Sequence, residues 1–232
     1  MQHIAKPLHH PLAYALWMAE TVDRFPLFPL GIVLLPREVV PLHIFEERYK
    51  TMIGECISGE TEFGIVWLAD DGLREVGCTA RVTQVLAEFD DGGSNILVAG
   101  GRPFRLLRRI DDMAYPAGEV QMLDDEADDD DDHEAEAAEL ELASEAHARY
   151  ADLVEQVTDE RPSADDLEDL DAYGMAATIE FDAGSKQELL ELRSERDRLE
   201  FVRDLFVKTA KRLAQSEEAG ELARSNGRIH IP

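Results

Sequence analysis

The chain has 232 residues, 44% of them apolar, and its 50 acidic and 23 basic side chains leave a net charge of −27. That apolar content suits one large or two small packed cores and excludes a chain disordered throughout. The charge opposes binding to nucleic acid or to an anionic membrane, and no stretch approaches the roughly 20 apolar residues that span a bilayer.

Residues 1–22 read as a flexible leader. Its apolar patch, Leu12 to Ala19, is short, follows Pro7 and Pro11, and lacks the basic start of a secretion signal. Met18 offers an alternative translation start, and the expected location is cytoplasmic. Cys56 and Cys78, the only cysteines, then read as two reduced, partly buried thiols.

After the leader, Phe25–Phe28 and Gly31–Leu34 read as two short strands separated by Pro29, and Val39–Ile44 as a third, with Pro41 marking an edge or bend. Glu46 to Ile57 changes period: Tyr49, Met52, Ile53 and Cys56 recur at three and four, one apolar helix face, and Ser58-Gly59 ends it. Glu62–Ala69 is a continuous apolar run of strand length, closed by the turn Asp70-Asp71-Gly72. Val76–Phe89 alternates as a long strand with a bulge near Val85 and Leu86. Asp90–Asn95 supplies a hairpin loop. Asn95–Ile110 is another long strand bent at Gly100-Gly101, and Ala114–Leu123 closes this half. Many strands with one helix predict a small barrel or strongly curved sheet.

Asp124–Glu134 then holds nine acids in eleven residues, too dense to bury itself, and reads as a solvated acidic linker over 124–135. Across 124–171 the chain carries 22 acids and two bases, which is where most of its negative charge resides. Beyond it the period is helical. Ala143, Ala146, Tyr150, Leu153 and Val157 form one stripe. Ser163 with Asp166 reads as a capping box opening a helix through Leu167, Leu170 and Met175 to Ile179. Asp182 caps a helix containing Leu189, Leu190 and Leu192. Ser194 with Asp197 opens a last helix, with Leu199, Val202, Phe206 and Leu213 on one face, and a polar tail follows from Glu217. The expected fold class is α+β: a β-rich barrel over 23–123 and a helical subdomain over 136–216, with 217–232 as a flexible tail.

The string PLFPLGIVLLP…VPLHIFEERYKTMI, Pro26 to Ile53, resembles the start of the N-terminal substrate-binding domain of the Lon proteases. FGIVW (Phe63–Trp67), GCTARV (Gly77–Val82), GGRPFRLL (Gly100–Leu107) and AYGMAATIEFDAGSKQELLEL (Ala172–Leu192) follow in the family's order. The resemblance covers about residues 24–216. Arg37 departs from it where the family has glycine, and Glu47 departs where proline is common, which favours one more helical turn. The resemblance implies a six-stranded, PUA-like pseudo-barrel followed by helices. The phosphate-cradling G-x-x-x-x-G-K-[ST] loop of a Lon ATPase does not occur, since no lysine follows a glycine. The chain also ends before a Ser–Lys peptidase module could begin, and Ser185-Lys186 fall at a helix start.

No catalytic, cofactor-binding or metal-ligating set emerges. His43 reads as a structural group donating to a backbone carbonyl or to a carboxylate such as Glu46, while Glu46, Arg48 and Tyr49 fix the helix against the barrel. The acidic run lacks the glycine of an EF-hand loop, and His133 and His147 assemble no zinc site. Arg102, Arg105, Arg108 and Arg109 are the one basic cluster and are expected to pair with the chain's own acids rather than RNA. The resemblance points to a non-enzymatic module that binds unfolded or degron-bearing polypeptides, with an ATP-dependent protease as a further partner. Open barrel edges would offer backbone groups and an apolar groove between barrel and helices would take side chains, with Phe28, Leu30, Phe45 and Trp67 as candidate contacts. The alternatives are an adaptor docking onto a protease or other partner, and a PUA-like RNA-binding protein.

Overall fold

The computed structural model describes residues 20–126 and 133–226, with side chains in the second stretch described over 137–216 and at 219. Most of the leader, residues 127–132 of the acidic linker and the last six residues lie outside the described residues. The chain divides between Asp124 and Asp125 into two compact units.

The first unit contains β1 (Thr21–Leu30), β2 (Val39–Ile44), α1 (Glu47–Gly59), β3 (Phe63–Ala69), β4 (Gly72–Glu88), β5 (Ser94–Ile110) and β6 (Ala117–Met122). The strands form one mixed sheet, β2-β5-β4-β3-β1-β6, closed by a further β5–β6 pairing. Strand β5 makes the closure possible. While β4 lies along one side of it, its other side is shared, Ser94–Ala99 by β2 and Phe104–Ile110 by β6. Among the described residues, no strand pairs with the outer edge of β2. The bulge expected near Val85 is present as a register shift between Val85 and Ala87.

Strand β1 corrects the expectation of two short strands. It is one element running through both Pro26 and Pro29, and Gly31–Leu34 is not strand. The reason is a change of partner. Thr21–Pro26 pairs antiparallel with β6, and Leu27–Leu30 pairs parallel with β3. Leu27 N donates toward the β6 side, to Pro116 O at 2.8 Å. Successive residues of a strand point their N–H groups to opposite sides, so Pro26 faces β3 before that ladder begins and Pro29 faces β6 after that ladder ends. Neither proline removes a ladder bond.

Alternation along β1 creates two layers. Phe25 and Leu27 point into the barrel with Val66, Phe104, Val120 and Met122. The Phe104 ring fits because its neighbours there are glycines: a Cβ on Gly64 or Gly77 would lie 2.5 or 2.7 Å from its Cζ. Phe28 points the other way, 4.1 Å between centroids from Tyr49 of α1 and 6.4 Å from Phe63. The α1 face predicted from period, Tyr49, Met52, Ile53 and Cys56, is the buried face. The helix starts at Glu47, with Glu46 as its N-cap. Proline is favoured at that first position, so Glu47 in its place adds no turn.

The second unit contains α2 (His133–Thr158), α3 (Ala164–Glu168), α4 (Ala172–Ala176), α5 (Ala183–Glu191) and α6 (Glu195–Asn226). The capping box Ser163/Asp166 is present, as are the Asp182 cap, with Ser185 N at 2.9 Å, and the Ser194 contact to Asp197 N at 3.1 Å. The single helix expected from Ser163 to Ile179 is instead two. Asp171 breaks it by capping the second piece, its Oδ1 accepting from Gly174 N at 2.7 Å, a local bond that competes with helix continuation. The α2 stripe holds at Ala146, Tyr150 and Leu153, all buried. It fails at Val157, 64% exposed in the helix's last turn. Helix α6 continues through Glu217 to Asn226.

Candidate functional site

The partner change in β1 leaves a cleft. Where β6 stops pairing and β3 takes over, Leu27–Leu30, the start of α1, and the β5–β6 connection enclose about 410 Å³, within the usual 300–1,000 Å³ range of ligand pockets. Phe28, Leu30, Tyr49, Leu68 and Leu73 supply its apolar surface. Two acids, Glu46 and Asp111, and two bases, Arg48 and Arg109, complete the rim. Leu68 is 53% exposed, an apolar side chain with no packing reason to face water.

Two of the rim residues are paired. Glu46 Oε2 accepts from Arg48 Nε at 2.9 Å, and the Arg48 guanidinium lies 4.6 Å from the Tyr49 ring centre. Behind the cleft, buried Tyr115 of the β5–β6 connection donates to Glu55 Oε2 of α1 at 2.5 Å. Burial, with the Glu55 carboxylate adding to it, pushes the Tyr115 phenol up to about 12. The neutral phenol is therefore the form that folding favours. Its contribution is intact below the ordinary tyrosine value near 10 and is lost as pH rises from there toward 12. Thermal unfolding of the wild-type chain should fall more steeply across that window than unfolding of Tyr115→Phe. Parallel curves would refute this.

The four candidate residues do not form one site. Phe28 and Leu30 line the cleft. Trp67 is Leu30's partner in the β1–β3 ladder, yet its ring lies under Arg74, 5.2 Å away, outside the cleft. Phe45, 61% exposed, belongs to a separate aromatic group with His43 and Phe89, each 5.7 Å from the His43 ring. His43 bonds neither a backbone carbonyl nor Glu46. Its Nδ1 lies 2.7 Å from Asn95 Oδ1, the side chain of its register partner across the β2–β5 ladder. The residues that sequence reasoning missed, Leu68, Leu73 and Arg109, come from β3, β4 and β5; only the exposed apolar Leu68 could have signalled itself.

The two open edges beside these groups each contain a proline, Pro29 on β1 and Pro41 on β2. A proline has no N–H to offer, so an added strand would lose donor bonds there.

The basic cluster is partly self-paired: Arg102 bonds Glu20 at 2.9 Å and Asp124 at 2.8 Å, and Arg108 bonds Glu119 at 3.1 Å. Both cysteines are free and buried, and burial pushes the Cys78 thiol far up, away from reactivity. Ser185 Oγ bonds the capping Asp182 at 2.8 Å, and His147 Nε2 lies 2.7 Å from Leu170 O. Among the described residues no group of three or more His, Cys, Asp or Glu is placed to hold a metal, and no helix is long and apolar enough to cross a membrane.

Comparison with known proteins places this geometry. The chain is 22% identical to the Lon protease of Cytophaga hutchinsonii over 83% of its length and 25% identical to that of Paraburkholderia phytofirmans over 85%. It spans only 25% of each of those curated relatives. Among solved structures it superposes on a Lon N-terminal domain protein from Xanthomonas campestris (TM-score 0.55, 24% identity, 77% of this chain and 96% of that one). It likewise superposes on the N-terminal domain of a Mycobacterium avium complex Lon protease (TM-score 0.60, 19% identity, 81% and 98%). At those identities the likeness is one of fold. The model of the ATP-dependent protease La (Lon) substrate-binding domain matches residues 24–208, and the chain belongs to that family.

Proposed function

We propose that this chain binds unfolded or degron-bearing polypeptide segments and performs no covalent chemistry on them. Family membership supports a substrate-binding role, and the observation that carries the reading on this molecule is the β1–α1 cleft with its exposed Leu68 and balanced rim. A large apolar side chain enters the cleft, while Glu46, Arg48, Arg109 and Asp111 receive the polar groups that flank it. Side-chain capture carries the affinity, because prolines interrupt both open edges and limit strand addition. Affinity is modest, since ordering an unfolded segment costs part of what burial contributes. The chain works in the cytoplasm and hands its clients to an ATP-dependent protease.

Titration of a labelled, permanently unfolded protein against the full chain tests this. Leu68→Asp places a charge at an exposed position, so the barrel folds as before. Binding should weaken about tenfold, which corresponds to about 1.4 kcal/mol. Unchanged binding would reject the cleft as the site.

A further inference from the structure

The second unit has a groove of a different character. Helix α2, the α3–α4 connection and the start of α6 enclose about 570 Å³ floored by Ala143, Leu170 and Leu199. On its lip stands Leu140, 74% exposed, more than any other large apolar residue described. Charge separates this groove from the others. The β1–α1 cleft balances two acids with two bases, and the α5–α6 groove interleaves Arg203, Lys208 and Arg212 with its carboxylates. Here the rim holds Glu139, Glu168, Asp169, Asp171 and Glu195, with no lysine or arginine among the lining residues.

Three of these carboxylates already have partners: Asp169, Asp171, which caps Gly174 N at 2.7 Å, and Glu195, which bonds Ala172 N at 2.7 Å and Arg198 at 2.9 Å. Glu168 is exposed and Glu139 half-buried, and they flank the apolar floor from α3 and α2. A ligand that satisfies this surface must bring apolar side chains and positive charge together. A free metal ion has nothing for Leu140, and a neutral apolar peptide leaves Glu139 and Glu168 unmatched.

We propose that this groove docks a basic amphipathic segment of a partner polypeptide, with a leucine-like side chain against Leu140 and Leu170 and lysine or arginine over Glu139 and Glu168. The groove shares no lining residue with the β1–α1 cleft, so variants at one leave the other's lining unchanged. Opposite charge across the rim steers encounter and makes docking salt-sensitive.

The test uses the full chain and a short labelled helix-forming peptide of leucine and lysine. A counterpart with glutamate for lysine and an all-lysine control complete the set. The leucine–lysine peptide should bind, and binding should weaken at least tenfold with Leu140→Ser, with the pair Glu139→Lys/Glu168→Lys, and at high salt. The charge-matched pair Glu88→Lys/Asp90→Lys, on the exposed β4–β5 hairpin, and Leu68→Asp should bind it as wild type does. Three results would overturn the proposal: the glutamate peptide binding equally well, the all-lysine peptide matching the amphipathic one, or the hairpin pair weakening binding as much as the groove pair. The first two remove the required chemistry, and the third reduces the effect to net charge.

Discussion

Gly100→Ala should cost the barrel unit about 3 kcal/mol or more, the upper end of what overpacking a core does. A Cβ at Gly100 would sit 2.0 Å from Leu35 O and 2.9 Å from Leu35 C. Those are backbone atoms of a fully buried residue, so no flexible side chain can swing aside. The backbone cannot drift either. Gly100 N donates to Glu38 O at 2.8 Å, Gly100 O accepts from Arg37 N at 3.0 Å, and the buried Glu38 carboxylate holds Leu35 N at 2.9 Å. The same turn carries Arg37 at φ 66°, a left-handed conformation that costs a non-glycine residue roughly 1–2 kcal/mol, which accounts for the family's glycine there. For a domain whose whole stability is about 5–15 kcal/mol, a further loss of this size is severe. Hydrogen exchange should show protection falling across β2, β4 and β5. Gly31→Ala, whose Cβ meets nothing within 4 Å, should be near neutral. Equal stability of the two variants would refute this account of the turn.

Arg198→Met should destabilise the helical unit by about 1–3 kcal/mol, since the guanidinium is buried while its carboxylate partners Asp125 and Glu195 stay 55% and 27% exposed. The Arg198 side chain is 5% exposed; it holds Asp125 through two bonds of 2.5 and 2.7 Å and Glu195 at 2.9 Å, and lies 4.8 Å from the Tyr173 ring centre. Burial alone would lower the Arg198 pKa, and Asp125, Tyr173 and Glu195 together outweigh that and raise it. Burial still holds Glu195 above its ordinary range despite Ala172 N–H and Arg198. Arg198 has thus not fully offset the desolvation of Glu195, and deleting it leaves a half-buried carboxylate against an apolar graft. Glu195→Gln keeps an acceptor for Ala172 N and removes the charge, so the double variant Arg198→Met/Glu195→Gln should recover part of the loss. Exchange of the α6 amides reads this unit by itself. A double variant as unstable as the summed singles would show that the two side chains do not act on each other.

How far the sequence reaches depends on where each signal lies. The α1 face was readable because Tyr49, Met52, Ile53 and Cys56 announce themselves within one helical repeat, and the caps at Ser163, Asp182 and Ser194 act over three residues. Strand β1 was misread because Pro26 and Pro29 look like breakers until β6 and β3 are both known to be its neighbours. The break at Asp171 was hidden because an aspartate in an acidic helix looks like any other. The candidate site was half readable. Phe28 and Leu30 alternate on one strand face and do line the cleft, but Leu68, Leu73 and Arg109 reach it from three other strands. His43 finds Asn95 across 52 positions, a pairing that no local pattern encodes.

The claim on which the rest depends is that an unfolded polypeptide lodges in the β1–α1 cleft and leaves it uncut. Photo-crosslinking of an unfolded chain bearing benzoylphenylalanine, followed by peptide mapping, tests it most directly. The account predicts adducts concentrated on Leu30, Leu68 and Pro116, competed away by unlabelled unfolded protein, with the captured chain at its original mass. Adducts scattered over the surface and absent from those residues, or a captured chain recovered as fragments, would contradict it.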